Sequence, residues 1–89
     1  MALSFPRQSR QLDADAGGVT FPGQNGEKTI SCRITREALR ERFGAGSAGP
    51  ELLATFDRNR PRIESVAARK FDLADPAQTV SLTLTPADL

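Results

Sequence analysis

Leu52, Phe56, Ile63 and Ala67 fall along one side of a helix drawn through residues 50–73, and Leu53 and Phe71 widen the stripe. A face this broad belongs to a helix lying on a core and exceeds a coiled-coil seam. Pro50 suits a first helical position, where its missing amide would have no partner. Glu51 then occupies the positive first turn. Pro61 is discordant, because in mid-helix it leaves the Asp57 carbonyl without a donor and pushes the chain aside. The stretch reads as one kinked helix, or as a helix broken near Asp57 to Arg60.

Upstream the period is two. Leu3 and Phe5 alternate with Ser4 until Pro6 stops the pattern, which fits a short edge strand or an ordered arm. Gln11 to Asp13 reads as another short strand, and Asp15-Ala16-Gly17-Gly18 as a turn. Val19 and Phe21 share a side of the next strand. Asn25-Gly26 is a hairpin signal, and Pro22 and Gly23 predict a somewhat longer loop. Lys28 to Ile34 is the clearest strand, with Ile30, Cys32 and Ile34 opposed to Thr29, Ser31 and Arg33. Thr35 then switches the period as an N-cap, with Ile34 positioned to staple to Leu39. That helix runs to about Phe43, with Ala38, Leu39 and Phe43 inward, and Gly44 closes it. Ala45 to Gly49 is a crossing of small residues. Asp75-Pro76 ends the long helix, and Thr79 to Leu84 is the last strand, with Val80, Leu82 and Leu84 inward.

The expected architecture is α+β: a small, mostly antiparallel sheet with two helices packed on one face, in the order β-β-α-α-β. Short extra strands can precede it. The reading gives one domain over residues 1–89, with residues 1–10 as an N-terminal arm or edge strand.

Composition narrows the chemistry. The chain has 89 residues, 38% of them hydrophobic, enough for one modest core. Twelve basic and 11 acidic side chains leave a formal charge of +1, so no global field draws it to nucleic acid or membrane. The single cysteine cannot form an internal disulfide, which agrees with a reducing compartment. With no spanning apolar run and no signal-peptide core, a cytoplasmic location and no membrane association are expected.

Val19-Thr20-Phe21, Ile30-Ser31-Cys32-Arg33-Ile34 with Ala38-Leu39, and Phe56-Asp57-Arg58-Asn59-Arg60 followed by Ile63-Glu64, Ala67 and Lys70-Phe71 carry a resemblance. Over nearly its whole length the chain resembles the small bacterial proteins of the DUF1488 family. The resemblance implies a short α+β fold and assigns no reaction or ligand. Many members carry another residue where this chain has Pro61, which argues against a straight helix here.

Catalysis has little to work with. Histidine and tyrosine are absent, and no base with a neutral pKa accompanies the serines. Cys32 lies on the inward side of its strand and reads as a small hydrophobe. No ligand set suggests a metal or other cofactor: Asp13 and Asp15 fall in a turn, and Asp72 and Asp75 at a helix end. Arg60 projects on the apolar side between Phe56 and Ile63, with Asp57 and Glu64 within reach along the helix. Asp57, Arg60 and Glu64 therefore read as a structural ion-pair cluster. Arg58, Arg62 and Arg69 fall within about 40 degrees of each other on a continuous helix. No aromatic residue interleaves with them, so base stacking has no support.

The expected function is a non-catalytic protein-interaction or adaptor role. It includes self-association as a homodimer through an N-terminal surface containing Leu3 and Phe5. The alternative is a nucleic-acid accessory that uses the basic face of Arg58, Arg62 and Arg69.

Overall fold

A computed structural model describes residues 3–6, 9–13, 17–46, 48–75 and 78–89. Among these residues four strands form one sheet in the order β1 (Gln11–Leu12), β2 (Val19–Asn25), β3 (Lys28–Ile34) and β4 (Ser81–Leu84). Between β3 and β4 run three helices: α1 (Arg36–Phe43), α2 (Gly49–Arg58) and α3 (Arg60–Leu73). A short 3₁₀ turn, Pro86–Asp88, follows β4. The class is the expected α+β, but the described residues form three α-helices, not two, and the sheet is mixed. The β1–β2 and β2–β3 pairs are antiparallel, whereas β4 runs parallel to β3. A parallel return needs a long crossover connection, and the three helices supply it.

The long apolar stretch is broken, not kinked. The Asn59 amide reaches both Phe56 O (3.1 Å) and Thr55 O (3.2 Å) and closes α2. Its side-chain Nδ2 also donates to Thr55 O at 2.9 Å. Pro61 thereby falls in the first turn of α3, where it needs no acceptor. Both halves keep their apolar faces inward: Leu52 and Phe56 from α2, and Ile63, Ala67 and Phe71 from α3, are buried. They meet Val19, Phe21, Ile30, Cys32, Ile34, Leu82 and Leu84 from one side of the sheet. On the other side Thr29, Ser31 and Ser81 stay exposed.

Thr35 caps α1, its hydroxyl accepting the Ala38 amide at 3.1 Å, and Gly44 ends it in the left-handed region. The hairpin loop is tighter than Pro22-Gly23 suggested. β2 continues through both residues to Asn25, which pairs with Lys28 around Gly26 and Glu27. Gly26 takes the first loop position with φ 63°. Pro22 is tolerated because of strand parity. The Gln24 amide donates outward to Ser4 O, so Pro22, two residues earlier, turns its donor-free nitrogen to that same edge and not to β3. The last strand begins at Ser81, and Val80, expected inward, is 61% exposed. Of the expected turn before Val19, Asp15 and Ala16 lie outside the described residues, as does Pro76.

Cys32 is fully buried and its thiol is pushed up to about 11 by that burial. Thiol labelling of the folded protein should therefore run at least tenfold slower than labelling in denaturant. Equal rates in the two states would contradict this placement.

Candidate interaction surface

The N-terminal segment closes the β2 edge. Ser4 exchanges two backbone hydrogen bonds with Gln24 (2.9 and 2.8 Å), and β1 pairs farther along with Thr20 and Val19. Leu3, expected to offer contact area to a partner, is 5% exposed inside the chain's own core. Gly23 makes room for it: a Cβ there would stand 2.9 Å from Leu3 Cδ1. Phe5 is half-buried, its ring centroid 5.9 Å from that of Phe21. The apolar arm expected outside is thus largely consumed within the chain. A small, apolar-poor protein gains more by folding such residues onto its own sheet than by leaving them in water.

The polar cluster differs from its expected pairing. Arg60 donates from Nε to Glu64 Oε2 at 2.8 Å and from an amino group to Ser9 O at 3.1 Å. Its guanidinium carbon lies 5.1 Å from the Phe56 ring centroid. Asp57, expected on Arg60, is held instead by a two-pronged contact from Arg10 at 3.0 and 2.9 Å. The hydrogen bond from Arg10 holds the Asp57 carboxyl below the usual carboxylate range, and the charge of Arg60 adds a smaller pull. These contacts tie the N-terminal segment across the α2–α3 junction. Arg10 and Ser9 were invisible to helix spacing because they lie far away in sequence.

Arg58, Arg62 and Arg69 are all exposed. Arg58 donates to Thr55 Oγ1 at 3.4 Å. Their common sector presumed a continuous helix. The break at Asn59 leaves only Arg62 and Arg69 on one helix, so the structure does not bring the three together as a helical stripe.

A shallow depression of about 320 Å³ lies on the polar side of the sheet, lined in part by Gln11, Thr20, Thr29 and Ser31. Arg10 also lines it but is engaged by Asp57. Among the described residues no three histidine, cysteine, aspartate or glutamate side chains converge as a metal site. No described helix is long and apolar enough to cross a membrane.

The outer edge of β4 is built differently from that of β2. Ser31 N donates to Val80 O and Thr35 N to Leu84 O, so the even-numbered residues of this strand face β3. By the same parity Ser81 and Thr83 direct their backbone groups outward. Lys70 reaches over from α3 and donates to Thr83 O at 2.6 Å and to Asp88 Oδ2 at 2.9 Å. Asp88 accepts the Thr85 amide at 2.8 Å. Partial burial opposes ionisation of Asp88, but the hydrogen bonds from Lys70 and Thr85 outweigh it and hold the carboxyl below its ordinary range. At the other end the Thr79 amide is turned back onto Asp75 O at 2.9 Å. Among the described residues, the Ser81 N–H and C=O, the Thr83 N–H and the Thr79 C=O are left without partners. Strand alternation could mark β4 as a strand but not which way its groups point, because that depends on its neighbour.

Comparison with known proteins places this geometry in context. The profile described as "Protein of unknown function (DUF1488)" matches residues 3–84. A crystal structure of a DUF1488-family protein of unknown function from Shewanella loihica PV-4 superposes with a TM-score of 0.70. It shares 19% sequence identity, with 90% of each chain covered, and so shows a similar fold. No curated protein matches the chain.

Proposed function

Because this chain belongs to the DUF1488 family, whose description names no activity, we propose a function from its surface: it is a non-catalytic association module that takes an extended strand on the outer edge of β4. The observation that carries this reading is the set of open backbone groups at Thr79, Ser81 and Thr83. On the other side of the sheet, among the described residues, Ser4 and β1 cover β2. β1 itself has two residues, with Leu12 packed against the start of α2, its Cδ2 2.7 Å from where a Cβ on Gly49 would stand. Exposed Val80 adds apolar contact beside the open groups.

Ser81→Pro tests the site. Its amide faces away from β3, so proline removes the outward donor and blocks an added strand while sparing the β3–β4 ladder. The variant should fold with a stability within about 0.5 kcal/mol of the parent. Proteins retained by the parent from nuclease-treated lysate should be lost with Ser81→Pro and kept when Arg58, Arg62 and Arg69 are reversed to glutamate. The opposite pattern, with salt-sensitive, nuclease-sensitive retention lost in the arginine reversal, would replace strand addition by nucleic-acid binding through that basic surface.

A further inference from the structure

Resting on the strand-addition reading, we infer that the strand taken by β4 is β4 of a second copy, antiparallel across a two-fold axis centred on Ser81. The pattern of satisfied and open groups specifies this register. A two-fold at Ser81 sets each Ser81 N–H against the other copy's Ser81 C=O. It also sets Thr83 opposite Thr79. In an ordinary antiparallel pair those two residues would exchange two hydrogen bonds. One of the two is already answered within each chain, since Lys70 occupies Thr83 O and Asp75 O occupies the Thr79 amide. The groups that remain, Thr83 N–H and Thr79 C=O, are donor and acceptor for each other. The interface thus uses four hydrogen bonds and leaves Lys70 where it is. A register centred one residue later would pair Ser81 with Thr83, so that Thr83 O, already held by Lys70, would have to accept Ser81 N–H as well.

Side chains agree with this choice. The Ser81-centred register places exposed Val80 opposite Leu82 of the other copy, extending the apolar face past the end of the helical cover. Lys70 keeps its Asp88 partner in this arrangement. A formal charge of +1 per chain offers little repulsion between copies. The association joins two four-stranded sheets into one continuous sheet, and a closed two-fold leaves no further copy of this edge to extend it.

Site-specific disulfide trapping reads the register. In this arrangement the two Ser81 Cα atoms stand about 5.5 Å apart, within disulfide range. The two Thr83 residues are offset by four positions, about 13 Å, and are out of range. Cys32 stays in place, since it is buried. Under mild oxidation Ser81→Cys should yield a linked dimer at least tenfold faster than Thr83→Cys, or than Ser4→Cys on the opposite edge as a collision control. The parent should show concentration-dependent dimerisation in sedimentation, abolished by Ser81→Pro. Equal trapping at the three positions, or a parent that stays monomeric at high micromolar concentration, would overturn the inference. If the monomer still retains lysate proteins that Ser81→Pro loses, strand addition stands with a different occupant. Loss of both behaviours would remove both readings.

Discussion

Arg60→Ala is expected to destabilise the fold by about 3 kcal/mol, the range for breaking a buried ion pair. Arg60 is 8% exposed, and its guanidinium bridges Glu64, the Ser9 carbonyl and the face of Phe56. Truncation would leave the Glu64 carboxylate in a poorly solvated place without its donor and detach Ser9 from α3. It would also remove the stem that lies on the core. Arg60→Met, which keeps most of that stem, should recover part of the loss and so separate packing from charge. Arg10→Ala removes a contact between two exposed side chains, and its effect should be much the smaller. Urea melts decide the ordering. A parent-like midpoint for Arg60→Ala would dismiss the structural role of this arginine.

The second large effect is expected at Gly18. A Cβ on this residue would lie 2.2 Å from the Ile34 carbonyl oxygen, a backbone atom that cannot rotate away. Gly18 immediately precedes Val19, which pairs with Ile34 at the end of the β2–β3 ladder, and Thr35 begins the α1 cap directly afterwards. Gly18→Ala must separate strand from strand or disturb that cap, and about 3 kcal/mol is expected. Gly26→Ala is the matched control. Its φ of 63° imposes conformational strain, but nothing lies within 4 Å of the new methyl group. About 1 kcal/mol follows from strain alone. Equal melting midpoints for the two variants would show that the close approach at Gly18 relaxes at no cost.

What the sequence disclosed was mainly local. The alternation of Ile30, Cys32 and Ile34 identified a half-buried strand, and Thr35 and Gly44 bounded α1, because those signals act within one element. Pro61 admitted a kink or a break; the amide of Asn59, turned back onto Thr55 and Phe56, resolved the choice. Long-range facts were not legible. Nothing near Asp57 announced Arg10 as its partner. Nothing near Leu3 announced that Gly23 leaves a space for it. The parallel sense of β4 could not be read from Val80, Leu82 and Leu84, since alternation is the same in either direction. Its outward groups, on which the proposed site depends, were hidden for the same reason.

That parallel pairing also bears on how the chain folds. The β2–β3 hairpin is local, closed by Gly26 and Glu27, and can form early. The β3–β4 ladder joins Ser31 to Ser81, and its loop closes only when the three intervening helices have collapsed into place. Until then β3 presents a bare edge ending at Ile34, with Cys32 and its neighbours uncovered. Any other β4 in reach can fill that edge as well as the chain's own. Exchange of β4 between chains is therefore the misassembly this topology invites, and the packing of α3 against β4 within the chain opposes it.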